Sequence, residues 1–115
     1  MLLLLVIPCV AEQKVRFKGQ WSNKSKSLTP IHPLQAWIED DNRSLSLEFH
    51  SNIGIVIISV TNSNGDTIYS QVVNTESTPA IFISLPRDIE QGDVLSVKDD
   101  FNNIYGNLFI NSINN

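Results

Sequence analysis

Pro33-Leu34-Gln35-Ala36-Trp37-Ile38-Glu39-Asp40-Asp41-Asn42-Arg43-Ser44-Leu45-Ser46-Leu47-Glu48-Phe49 decides the fold class. Leu34, Ala36 and Ile38 are apolar at every second position, and so are Leu45, Leu47 and Phe49. That period of two belongs to half-buried strands; an amphipathic helix would repeat every 3.6 residues. Asp41-Asn42 can make the tight turn of a hairpin, with Asp40 opposite Arg43. The resulting register sets Ile38 against Leu45 and Trp37 against Ser46. One face is then continuously apolar, and the other carries Trp37, Gln35, Ser46 and Glu48.

The same rhythm extends in both directions. Upstream, Val15 and Phe17 alternate with Arg16 and Lys18, which predicts a first strand ending at Gly19 with Trp21 as a core plug behind it. Ser22 to Pro33 is polar, contains two prolines and reads as a loop. Downstream, Ile55 to Ile58 is uninterruptedly apolar, as in a strand that is buried on both faces or central in its sheet. Asn62-Ser63-Asn64-Gly65-Asp66 is a turn, with Gly65 able to take positive φ. Thr67 to Val73 is its partner strand. Ile81, Ile83 and Leu85 alternate until Pro86 stops them. Leu95 and Val97 point inward from the next strand, and Ile104 to Ile110 is the last. Gly106 within it predicts a bulge or a close backbone contact. Seven to eight mostly antiparallel strands, with turns every ~8–12 residues, make an all-β sandwich or barrel.

Composition narrows the function classes. The 115 residues include 8 Lys and Arg against 12 Asp and Glu, a net charge of −4. No basic stripe exists, so nucleic acid is a disfavoured partner. Met1-Leu2-Leu3-Leu4-Leu5-Val6-Ile7-Pro8-Cys9-Val10-Ala11 has no charge before Glu12. It reads as the apolar core of an export signal with small residues at its cleavage site, its basic start lying upstream of a start codon called late. It is too short for a transmembrane helix, which needs about 20 apolar residues. Residues 1–11 are thus expected to be a signal and 12–115 a single domain, in the periplasm, at the outer-membrane surface or secreted. Cys9 is the sole cysteine and is itself a candidate lipid anchor, a tether to the membrane. No disulfide framework is available, so stability must come from a packed core.

Certain segments carry a resemblance to a known family. They are Val15-Arg16-Phe17-Lys18-Gly19-Gln20-Trp21, Pro33 to Ile38, Leu45 to Phe49, Val60 to Tyr69, Ile83-Ser84-Leu85-Pro86, Gly92 to Val97, and Ile104 to Ile110. Together they resemble the domain-of-unknown-function 3244 family, small exported proteins of gut-dwelling Gram-negative anaerobes. The resemblance implies an immunoglobulin-like β-sandwich and supplies no catalytic residues. The second half also resembles, as kinship of fold, the C-terminal sandwich domains that address proteins to an outer-membrane secretion system.

Catalytic and metal signatures are absent, and no cofactor is expected. His32 and His50 lack metal-ligand spacing, and no serine sits in Gly-x-Ser-x-Gly. Asp40, Asp41, Asp99 and Asp100, with Glu39, can pair for glycoside hydrolysis or bind calcium, but Asp at turns ordinarily serves local hydrogen bonding. A small hydrolase is the third-ranked reading. The leading one is a non-enzymatic binding or adhesion module for a protein or glycan. In it Trp37, beside Ser46, Gln35 and Glu48, stacks on a sugar or anchors a protein; otherwise it covers the sheet or packs under the Ser22–Pro33 loop. The second reading is an assembly protein that pairs through the Ile104–Ile110 edge. Asp66-Thr67-Ile68 makes Thr67 a candidate O-glycan acceptor. Asn23 and Asn42 match the N-glycan pattern, which carries little weight in a bacterial protein.

Overall fold

A computed structural model describes residues 13–19, 21 and 33–108. The predicted signal with Cys9, residues 22–32 of the loop including His32 and Asn23, and residues 109–115 lie outside the described residues. Among the described residues eight strands run in the order β1 (Gln13–Lys14), β2 (Leu34–Ile38), β3 (Ser44–Phe49), β4 (Ile55–Thr61), β5 (Thr67–Asn74), β6 (Ala80–Ser84), β7 (Val94–Lys98) and β8 (Asn103–Asn107). They form two antiparallel four-stranded sheets, β1-β2-β3-β6 (sheet A) and β5-β4-β7-β8 (sheet B). The chain leaves sheet A after β3, makes the β4–β5 hairpin, returns as β6 beside β3, and crosses again to β7–β8.

The predicted hairpin register holds: Ile38 pairs with Leu45 and Trp37 with Ser46. Its turn differs from the expectation. Glu39 N–H donates to Ser44 O at 2.9 Å, so four residues, Asp40 to Arg43, form the loop. A two-residue type I′ turn needs positive φ at both central positions, and here only Asn42 takes it, at 58°. Arg43 therefore does not oppose Asp40; it pairs with Asp88 at 3.2 Å.

The first strand is also shorter than the alternation implied. Val15 N–H still donates to Ala36 O of sheet A, but Lys18 exchanges backbone hydrogen bonds with Tyr105 of sheet B. The segment thus crosses from one sheet to the other over the sandwich edge, burying Val15 as it goes. Gly106 makes this crossing possible. A Cβ there would meet Val15 Cγ1 at 2.6 Å and Arg16 O at 2.7 Å, which is the close backbone contact its position predicted. At the β4–β5 turn Gly65 adopts φ 88°, and Asn62 Oδ1 accepts from Asn64 N–H and Asp66 N–H at 2.9 Å each.

Alternation fills the core. Leu34, Ala36, Ile38, Leu45, Leu47 and Ile83 from sheet A meet Val56, Ile58, Val60, Leu95, Val97 and Ile104 from sheet B. Each Val, Leu or Ile side chain among them contributes about 1.5–3 kcal/mol by leaving water. Trp21 and Phe17 pack partly buried against this core. β4 is central in its sheet, but it is not buried on both faces: Ile55 and Ile57 are 61% and 37% exposed on the outer side.

Candidate functional site

The period of two that builds the core also fixes what stands on the outer face of sheet A. Lys14 pairs with Trp37, Trp37 with Ser46, and Ser46 with Phe82, so one cross-strand row runs over all four strands. Neighbouring strands lie about 4.8 Å apart, so Trp37 and Phe82 stand roughly 10 Å apart with Ser46 between them. Serine is the short member of the row. The two aromatic side chains therefore wall a trough of about 470 Å³ whose lining includes Ser46, Glu39, Glu48 and Ala80. Trp37 is half-buried, while Phe82 is 65% exposed. Ser46 Oγ donates to Glu39 Oε2, which fixes a carboxylate at the floor. Glu48 lies one row along, between Gln35 and Ala80.

Of the three residues expected around Trp37, two, Ser46 and Glu48, line the trough with it. Gln35 shares their face, in register with Glu48. Sequence reasoning missed Phe82, and it grouped Glu39 with the acidic turn rather than with Trp37. Phe82 sits in Ala80-Ile81-Phe82-Ile83-Ser84, where the neighbouring isoleucines mask it as one more core residue; only the β3–β6 register brings it beside Ser46.

The acidic turns are local structure. Asp41 accepts from Arg43 N–H and Ser44 N–H at 2.9 Å each and from Ser44 Oγ at 2.7 Å. These bonds, the Arg43 backbone foremost, hold its carboxyl below the ordinary carboxylate range. Asp99 Oδ1 accepts from Phe101 N–H at 2.8 Å and Asn102 N–H at 2.7 Å. The two turns also stand at opposite ends of the sandwich. Asn42 O receives Ile89 N–H beside the β6–β7 connection, whereas Asp99 follows the far end of β7. Asp40 and Asp41 therefore cannot face Asp99 and Asp100 across one substrate bond. Among the described residues no three His, Cys, Asp or Glu side chains converge as a metal site would need. Thr67 is exposed at the start of β5.

A second polar constellation escaped the sequence. Asp93 is 1% exposed. Its carboxylate accepts from Arg87 Nη1 at 2.8 Å, Arg87 Nη2 at 2.9 Å and Glu90 N–H at 2.8 Å. Burial pushes its pKa up, but the Arg87 and Glu90 hydrogen bonds outweigh that, and the carboxyl ends below its ordinary value. Three internal hydrogen bonds hold this buried carboxylate, so the pair clamps the β6–β7 connection.

The model of the family described as domain of unknown function (DUF3244) matches residues 14–108. Comparison with curated proteins finds no match. Among solved structures the chain is similar to a DUF3244 family protein with an immunoglobulin-like beta-sandwich fold from Bacteroides vulgatus ATCC 8482. That similarity has a TM-score of 0.65 at 19% identity and covers 84% of this chain and 96% of the other.

Proposed function

This chain belongs to the DUF3244 family and has its immunoglobulin-like β-sandwich fold; from that premise we propose that it is an exported, non-enzymatic module that binds a saccharide on the outer face of sheet A. The observation that carries the reading is the Trp37–Ser46–Phe82 row. An apolar ring face against an aromatic, with hydroxyl groups directed to carboxylates, is how a sugar is held without chemistry. Trp37 and Phe82 supply the two ring faces. Glu39, Glu48 and Ser46 supply acceptors and a hydroxyl between and beside them. Among the described residues that line the trough there are two carboxylates and no Lys or Arg, with Lys14 the one cation beside Trp37 in the row, so the reading favours neutral or amine-bearing sugars over anionic ones.

Export rests on the apolar run from Leu2 to Ile7 and the small residues after it. The periplasm, the outer-membrane surface or the medium is the destination, and modification of Cys9 would tether the module to a membrane. A glycan array probed with the wild-type chain and with Trp37→Ala tests the binding reading. It requires at least one neutral or amino glycan to be retained by the wild type and lost by the variant. Retention of proteins but of no glycan would assign the face to a protein partner instead.

A further inference from the structure

The edges of the two sheets are not treated alike. Among the described residues β1 has only two. The outer edge of β8, proposed from sequence as the assembly strand, is taken at Tyr105 by the backbone bonds of Lys18. β6 is short and bracketed by Pro79 and Pro86, a common guard on exposed edges. β5 is the exception. It has eight residues, Thr67-Ile68-Tyr69-Ser70-Gln71-Val72-Val73-Asn74, with no proline, glycine or charge. Among the described residues only β4 pairs with it.

Its open side can be assigned residue by residue. Thr75 N–H donates to Gly54 O at 3.0 Å, toward β4. Backbone groups alternate direction along a strand, so Val73 and Gln71 also turn toward β4, while Val72 and Ser70 turn their N–H and C=O groups outward. Val72 is 63% exposed and continues the row of Ile57, its partner on β4. We propose that β5 is a self-association edge, pairing antiparallel with β5 of a second copy about a two-fold axis at Val72. That axis sets Val72 opposite Val72 of the second copy as a hydrogen-bonded pair. It keeps all outer-face residues on one side, because the pairing sum is even. It also extends the apolar row to Ile57–Val72–Val72–Ile57 across four strands, with no like charges opposed within the strand. A second copy is the occupant favoured because an uncharged strand centred on one apolar residue is complementary to itself.

The test is sedimentation velocity of the purified chain from about 1 µM to about 1 mM, a range that spans weak association. Wild type should pass from monomer to dimer within it. Ser70→Pro removes an N–H that β4 does not use, at an edge strand where proline is tolerated, and Val72→Lys places like charges together. Each should weaken the dimer at least tenfold with unchanged thermal melting, and Trp37→Ala should not weaken it. Amide exchange on wild type gives an independent reading: Ser70 and Val72 amides should become protected as concentration rises. A wild-type monomer throughout the range, or a dimer indifferent to both variants with no such protection, overturns the proposal.

Discussion

Trp37 and Phe82 flank Ser46 in a single cross-strand row, one strand away on either side. Their separation is set by strand spacing, so it is as rigid as the sheet. A ligand held between them requires little rearrangement, which favours affinity by lowering the ordering cost of binding.

This arrangement separates binding from stability most cleanly at Phe82, which is 65% exposed. Phe82→Ala should cost under about 0.5 kcal/mol of stability, as surface changes generally do. Ligand affinity should fall at least tenfold, or about 1.4 kcal/mol. Trp37 is half-buried, so Trp37→Ala will lower the melting temperature modestly as well as weaken binding. Paired calorimetric titrations and thermal melts distinguish the two effects.

Charge at the trough gives a second expectation. Glu39 and Glu48 stand beside the aromatic walls. Glu39→Gln with Glu48→Gln should therefore relax discrimination against uronic-acid or sulfated polysaccharides while leaving melting unchanged. Affinity electrophoresis through gels containing neutral or anionic polymers reads this directly.

Asp93 predicts the acid behaviour of the fold. Its folded pKa is depressed, by bonds from Arg87 and Glu90 that overcome burial. Its contribution is therefore fully present above the unfolded carboxyl pKa of about 3.9 and is lost as pH falls through the folded value. Melting temperature should drop through that acid window. Asp93→Asn should flatten the drop and cost about 1–3 kcal/mol near neutral pH, because the amide keeps one of the two acceptor oxygens and no charge to pair with Arg87.

Gly106 tests the sheet-crossing segment. Gly106→Ala drives a methyl into Val15 and the Arg16 carbonyl, and overpacking of this kind costs about 1–3 kcal/mol. The loss should appear in chemical denaturation. Amide exchange should rise at Lys18 and Tyr105, whose mutual backbone bonds close this edge.

Much of this architecture can be read from the chain, because period-two burial dictates which face each residue takes. Ile38 against Leu45 and Trp37 against Ser46 follow from that alternation together with a turn centred on Asp41-Asn42. What alternation cannot encode is which strands become neighbours in space. Phe82 reaches Ser46 only because β6 returns beside β3 rather than beside β5, and nothing local to residues 80–84 dictates that return. The sheet change between Val15 and Lys18 hides for a similar reason, since side chains alternate in and out whichever sheet receives the backbone. Arg87 and Asp93 look like ordinary loop charges six residues apart until Asp93 is buried. The aspartates at the turns were legible, because an Asx turn is made by residues adjacent in sequence.

Amide chemical-shift mapping during titration of the labelled chain with a neutral oligosaccharide retained on the array tests the central claim most directly. Shifts concentrated on Trp37, Glu39, Ser46, Glu48 and Phe82, including the Trp37 indole N–H, and abolished by Trp37→Ala, are the result predicted. Saturable shifts elsewhere, with this face unmoved, would contradict the assignment of the saccharide site to sheet A.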